Sequence, residues 1–292
     1  MDLRRTMLFM PGNNPGMLQN GGVFGADAII LDLEDAVAPQ EKDAARILVA
    51  QALKTVDYGT SEKVVRINPL DTFACKDIPA IVPCCPDAIL VPKVESPADI
   101  QEVAHLVATA EKPGQATVKL IALLETPRGI AEAYQIATAD KRVVALAFGA
   151  EDYTASLGAK RTKEGTEIFT ARTIVVNSAA AAGIQSIDTP FTDVNDREGL
   201  VADTQLAKQL GFKGKLTINP RQIDDIHNVF NPTAQDINWA ERIIKAIRKA
   251  EAEGAGVASL DGKMVDAPIV ARAELILYLS RLLGLAEEAY YE

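Results

Sequence analysis

The stretch Lys119-Leu-Ile-Ala-Leu-Leu-Glu-Thr-Pro-Arg-Gly129 decides the fold. Its run from Leu120 to Leu124 is apolar at every position, the pattern of a parallel strand buried on both faces, and Pro127 and Gly129 mark the turn behind it. A carboxylate, Glu125, stands at the strand's exit. The arrangement recurs where Val143-Val-Ala-Leu-Ala-Phe148 runs into Gly149-Ala-Glu-Asp152, so a second acid emerges 27 positions after the first. Two acids at neighbouring strand ends can grip one metal ion.

Working outward, six further short apolar runs end in polar or turn residues and are followed by helical patterns. They cover 5–11, 27–35, 63–68, 87–94, 184–189 and 214–219. The endpoints 35, 66, 93, 125, 152, 188 and 219 fall 27 to 36 positions apart. Even alternation of strand and helix predicts an α/β fold, a closed (β/α)8 TIM barrel over residues 1–230. Glu41 to Lys54 and Thr170 to Ala182 read as helices of its outer shell, and Ser96-Pro97 reads as a helix start with serine as N-cap. Beyond Asn219 the pattern changes: a charged helix at about 235–252, a glycine-bearing link Glu253-Gly-Ala-Gly-Val257 and a last helix at about 268–287. Residues 231–292 are therefore read as a helical extension, with the glycines as a hinge that makes it a lid or an oligomer contact.

A chain of 292 residues, 48% of them apolar, can bury one large core. Its 40 acidic and 30 basic residues leave a formal charge of −10, which argues against nucleic acid or an anionic membrane as partner. Cys75, Cys84 and Cys85 lack metal-type spacing and are expected to be small buried side chains. The segment Met1-Asp-Leu-Arg-Arg-Thr6 leads into a short strand without a signal-peptide core, so a reducing cytoplasm is expected.

Active sites of such barrels form at the C-terminal ends of the strands, which places Glu34, Asp35, Arg66, Lys93, Glu125, Asp152 and Asp188 around one mouth. Each charge alone is equally well explained as solvating its strand end. Together, several carboxylates in one cleft repel unless a cation neutralises them. Oxygen donors in a chain with only two histidines favour Mg²⁺ over Zn²⁺. Glu125 and Asp152 are the candidate ligands, and Glu34 and Asp35 are expected to hydrogen-bond the metal's waters. Arg66 offers a planar fork for a substrate carboxylate or carbonyl, unless it merely pairs with Asp35 or Asp71. The backbone N–H groups of Gly149 and Ala150 are candidates for a second substrate carboxylate. Lys93 raises a competing Schiff-base mechanism, which acidic neighbours oppose by holding the amine protonated.

Phe9-Met-Pro-Gly-Asn-Asn-Pro15, Gly25-Ala-Asp-Ala-Ile-Ile-Leu-Asp-Leu-Glu-Asp-Ala-Val37, Val65-Arg-Ile-Asn-Pro69, Ile218-Asn-Pro-Arg-Gln-Ile223 and Asp261-Gly-Lys-Met-Val-Asp-Ala-Pro268 carry a resemblance. Together they resemble the citrate lyase β-subunit, or citryl-CoA lyase, family. The resemblance implies a homotrimeric Mg²⁺-dependent barrel that cleaves a 3-hydroxy acyl thioester, with Glu125 and Asp152 on the metal and Arg66 on the substrate. It also implies an acid/base role for Asp266, delivered across a subunit boundary, and possible citrate lyase α and γ subunits as partners. The expected reaction is cleavage of citryl-CoA or citryl-acyl carrier protein to oxaloacetate and an acetyl thioester. Gly149-Ala-Glu-Asp-Tyr153 departs from the Ala-Phe-Asp-Tyr often found in dedicated citrate lyase subunits. A malyl-CoA or citramalyl-CoA lyase, a related thioesterase and a non-catalytic scaffold subunit therefore stay open beside it.

Overall fold

In the computed structural model the chain divides into two compact units, Met1–Phe230 and Asn231–Glu292. Residues 3–252 and 257–285 are described. In the first unit eight strands close in chain order into one parallel barrel, as the strand spacing predicts. They are β1 (Thr6–Pro11), β2 (Ala28–Asp32), β3 (Glu62–Arg66), β4 (Ala88–Val91), β5 (Lys119–Leu124), β6 (Val143–Phe148), β7 (Gln185–Asp188) and β8 (Gly214–Thr217). Helices between them form the outer shell. Ser96 and Asp99 close a reciprocal capping box at the start of helix Pro97–Ala110, the helix entry that Ser96-Pro97 foretold.

Side chains on a strand point alternately to its two faces, so the barrel sorts its residues by parity. Met7, Ile30, Val64, Leu90, Ile121, Leu123, Ala147 and Leu216 belong to one buried cluster, the barrel interior. Their neighbours Leu8, Leu31, Val65, Ile89 and Leu120 belong to a second cluster with the helices. A fully buried Leu or Ile is stabilised by about 1.5–3 kcal/mol, so a one-residue slip of any strand would exchange two cores at once. Continuing the inward parity to the strand ends leads to Asp32, Arg66, Glu125, Gly149 and Thr189. Register supports this, since Asp32 stands opposite Arg66 across β2 and β3.

The cysteines correct one expectation. Cys75 and Cys85 are exposed and Cys84 half-buried, all three as free thiols. Helix Ala74–Ile81 turns Cys75 outward while Ala74, Ile78 and Ile81 fill the core face.

The second unit contains helices Ala234–Ala252 and Ala267–Leu282 with a small core of Ala240, Ile243, Val265, Ala273 and Leu277. Between them β9 (Ala258–Leu260) and β10 (Lys263–Val265) form an antiparallel hairpin. The sequence reading passed over this element. Its signal is Asp261-Gly262, both at positive φ (52° and 75°), as a two-residue hairpin turn of the favoured hand requires. Residues 253–256 of the glycine-bearing link read as a hinge lie outside the described residues, as do the final positions of the last helix as drawn from sequence.

Candidate active site

Arg66 ends β3 inside the barrel mouth and is almost fully buried. Asp32, at the end of β2, takes it in a bidentate grip: Nε donates to Oδ1 at 2.7 Å and Nη2 to Oδ2 at 2.6 Å. Nη1 lies 2.8 Å from Glu34 Oε2 and 3.4 Å from Asp35 Oδ2. Phe9 flanks the guanidinium, its ring centroid 4.8 Å from Cζ. Burial works against this charge, but Asp32 and the two acids beyond it outweigh it and hold the guanidinium firmly protonated. Asp32 also accepts the Glu34 N–H at 2.8 Å and the Ala36 N–H at 3.2 Å. One carboxylate thus fixes both the arginine and the loop that carries Glu34 and Asp35. The sequence reading quoted Asp32 at this strand end without giving it a role; its parity with Ile30 is the signal that finds it.

Glu125 points inward from the end of β5 and is 4% exposed. Burial pushes its carboxyl up to about 8; Glu34 and Asp152 add to the push, while Arg66 and the Lys93 N–H oppose it. The Lys93 N–H donates to its Oε2 at 3.0 Å. On the other side, a Cβ built on Gly149 would sit 2.7 Å from both Cγ and Oε1 of Glu125. Gly149 is therefore the wall that lets Glu125 lie where it does. Substitution Gly149→Ala is expected to displace that carboxylate by the better part of an ångström and lower kcat on the order of 100-fold. Steady-state assays beside a thermal melt check this; unchanged kcat in a normally folded variant would refute it.

Asp152 stands, half-buried, in the first turn of helix Ala150–Leu157. A cavity of about 510 Å³ is lined by Asp32, Asp35, Arg66, Glu125, Gly149, Ala150 and Asp152, with Phe9, Leu123, Leu216 and Ile218 as apolar walls. Glu34 lies behind Arg66, buried, with its carboxyl raised by that burial more than Arg66 lowers it. Of the ten site residues named from sequence the structure brings eight together, Lys93 among them through Glu34 and Glu125; Asp188 and Asp266 are not of that group. Asp266 belongs to the second unit, where it is the N-cap of helix Ala267–Leu282 and accepts from Ile269 N at 3.4 Å.

Three details differ from the sequence reading. Gly149 N–H is already spent on Leu124 O at 3.0 Å, and Ala150 N–H rests on Thr189 Oγ1 at 3.0 Å. An incoming carboxylate would have to replace Thr189 at Ala150 or use the amides of the helix start. Asp188 is not at the mouth. It faces outward, fully buried, bound by Arg172 at 2.9 and 2.8 Å and by Lys215 at 2.6 Å. The adjacent inward position belongs to Thr189. Third, Arg66 pairs most closely with Asp32 and Glu34; of the two partners weighed from sequence, Asp35 is met at 3.4 Å, while the ion pairs of Arg66 among the described residues do not include Asp71.

The donor set suits a hard divalent cation. Glu125 and Asp152 share the cavity with other carboxylates, while His227 stands within hydrogen-bond distance of Thr6 at the far end of β1. Among the described residues no group of three or more histidine, cysteine or acidic side chains gathers as a ready-made cage. Two carboxylates with room for water or substrate oxygens is the way Mg²⁺ is usually held. The buried Glu125, whose ionised form is disfavoured without a positive neighbour, fits such an ion.

Comparison with known proteins gives the family. The chain is 49% identical over 282 residues to the citrate lyase subunit beta of Leuconostoc mesenteroides subsp. cremoris, covering 95% of this chain and 93% of that one. It is 33% identical to the mitochondrial citramalyl-CoA lyase of Rattus norvegicus, covering 95% and 86%. The crystal structure of CitE from Mycobacterium tuberculosis in complex with magnesium, acetoacetate and coenzyme A superposes with a TM-score of 0.79 at 31% identity, covering 96% and 98%. The model of the HpcH/HpaI aldolase/citrate lyase family matches residues 5–220, from the first strand to the turn after the last, and the chain belongs to that family.

Proposed function

We propose that this protein is a Mg²⁺-dependent carbon–carbon lyase that cleaves a citryl thioester, borne by CoA or an acyl carrier protein, to oxaloacetate and an acetyl thioester. The observation that carries the proposal is the meeting of Arg66, Glu125 and Asp152 in one cavity, in a chain so close to citrate lyase β-subunits. Cleavage needs three things: loss of the 3-hydroxyl proton, stabilisation of the acetyl fragment as it leaves with the bond's electron pair, and protonation of that fragment at carbon.

Glu125 and Asp152 would hold the Mg²⁺, which when bound lowers the pKa of the substrate hydroxyl and orients the adjacent carboxylate. Arg66, immobilised by both oxygens of Asp32, places a permanent positive charge where negative charge develops on the thioester oxygen. The apolar walls, Phe9 and Leu123 among them, exclude water from the enolate. Asp266, carried by the extension of a neighbouring subunit in a homotrimer, exchanges the proton with the acetyl carbon. Lys93 is not a Schiff-base nucleophile in this reading. Burial lowers its pKa, but Glu34 at 3.0 Å more than reverses this and holds the amine protonated.

The decisive experiment incubates the purified protein with Mg²⁺ and citryl-, malyl- or citramalyl-CoA and follows the keto acid and the acetyl thioester. Oxaloacetate and acetyl-CoA in equal amounts from citryl-CoA are expected, with EDTA abolishing turnover. Exclusive turnover of the malyl or citramalyl thioester overturns the substrate assignment, and release of CoA with the intact hydroxy acid and no keto acid marks a thioesterase. Turnover by the isolated chain excludes a silent scaffold; partner α and γ subunits would then supply the carrier. Action in the cytoplasm is part of this reading; among the described residues no helix is long and apolar enough to cross a membrane.

A further inference from the structure

We propose that Lys93 is a positioning residue for this reaction, holding two acids of the site at once, Glu125 by its backbone and Glu34 by its side chain. The inference rests on the reading of Glu125 as a ligand of the cation.

The sequence sets up an irregular strand end. β4 stops at Val91, and Pro92 has no N–H with which to extend the ladder. The ladder resumes only at Val94, whose N–H donates to Leu123 O at 3.2 Å. Lys93, between them, adopts φ 51°, in the left-handed region. This turn aims its N–H inward to Glu125 Oε2 at 3.0 Å. The same turn is packed from outside by Gly129, where a Cβ would come within 2.3 Å of Val94 O. The chain on both sides of Glu125 thus grips the 93–94 turn.

Glycine could make that turn without steric penalty, whereas a lysine is disfavoured there. Strained backbone persists only where its surroundings over-determine it, so the lysine side chain should supply something glycine cannot. What it supplies is an ammonium 3.0 Å from Glu34 Oε1, opposite Arg66 Nη1 at 2.8 Å from Oε2. These two cations are the only ion-pair partners of Glu34 among the described residues, and Glu34 is 4% exposed. Without the ammonium, Glu34 is free to draw Arg66 away from the cavity and to repel Glu125.

Three variants separate the parts. Lys93→Gly keeps the N–H, removes the strain and loses the charge; Lys93→Met loses the charge but keeps the strain; Lys93→Arg returns a cation. Each is read by Mn²⁺ binding to the purified protein by electron paramagnetic resonance, by steady-state kinetics and by thermal melting. Weakening of Mn²⁺ binding and loss of kcat by about 10–100-fold are expected for the Gly and Met variants, with substantial recovery in Arg. The Gly variant should melt no lower than the parent, so that activity and stability part company. Wild-type binding and turnover in Lys93→Gly would overturn the proposal, and so would an activity loss that simply tracks a lowered melting temperature. Glu125→Gln is run alongside. If that variant binds Mn²⁺ as the parent does, the metal assignment itself fails; if it loses the ion while the Lys93 variants keep it, only the role of Lys93 fails.

Discussion

Glu125→Gln is expected to bind Mg²⁺ or Mn²⁺ far more weakly and to lose on the order of 1,000-fold in kcat, equivalent to about 4 kcal/mol of barrier. Glutamine keeps the shape of the side chain and an oxygen for the Lys93 N–H, so the contact at 3.0 Å survives. What disappears is one negative charge on a side chain that is almost fully buried. Glu125 and Asp152 are the cavity's two candidate ligands, and neutralising one leaves a single carboxylate for an ion that already retains much of its water. The fold should be indifferent or gain. A buried carboxylate raised to about 8 is one whose ionised form the protein accommodates poorly, and an amide has no such difficulty. Titration with Mn²⁺, turnover and melting on the same sample check this, and a Glu125→Gln enzyme with undiminished metal affinity would remove the foundation of the mechanism.

Arg172→Leu should lower stability by about 3–5 kcal/mol, the usual result of removing one member of a buried ion-pair network. Arg172 lies 1% exposed in helix Thr166–Ala181 and ties the end of β7 to helix Arg197–Leu210. Its Nη2 reaches Asp188 at 2.8 Å and Asp203 at 2.7 Å, and Lys215 bonds the same two acids. Burial opposes the charge on Asp203, yet Lys215 and Arg172 prevail and hold its carboxyl below the ordinary range. Leucine leaves the buried Asp188 and the half-buried Asp203 to one lysine. At about 2–4 °C per kcal/mol for a unit of this size, the melting temperature should fall by about 6–20 °C. Replacing Arg172 and Asp188 together by apolar residues should recover part of that loss, because no lone charge is then stranded. A single variant melting within about 2 °C of the parent would contradict this account, since about 2 °C is the low end of the shift for only about 1 kcal/mol. Activity at a temperature both survive should also drop, since Asp188 immediately precedes Thr189, whose hydroxyl receives the Ala150 N–H.

How much was legible beforehand depended on the range of the signal. Strand after strand followed by a helix at near-even steps is local information, and it specified the barrel and the order of its strands. The acids Glu125 and Asp152 were readable for the same reason, each standing where an apolar run stops. Motifs spread from Phe9 to Pro268 carried the family. The hairpin at Asp261-Gly262 had a local signal too, a two-residue turn between two short strands.

What only the tertiary structure decided was direction. A strand buried on both faces is apolar at every position, so its alternation is invisible in the sequence, and a residue at its end can be assigned to either side. Pairing with the neighbouring strands breaks that tie: it turns Asp32 and Thr189 into the mouth and Asp188 away into the helical shell. Likewise a backbone N–H is present in any sequence, but whether it is spent on Leu124 O, on Thr189 or on Glu125 depends on partners many residues away. The chain by itself named the chemistry at the strand ends; register and packing chose which of those groups meet.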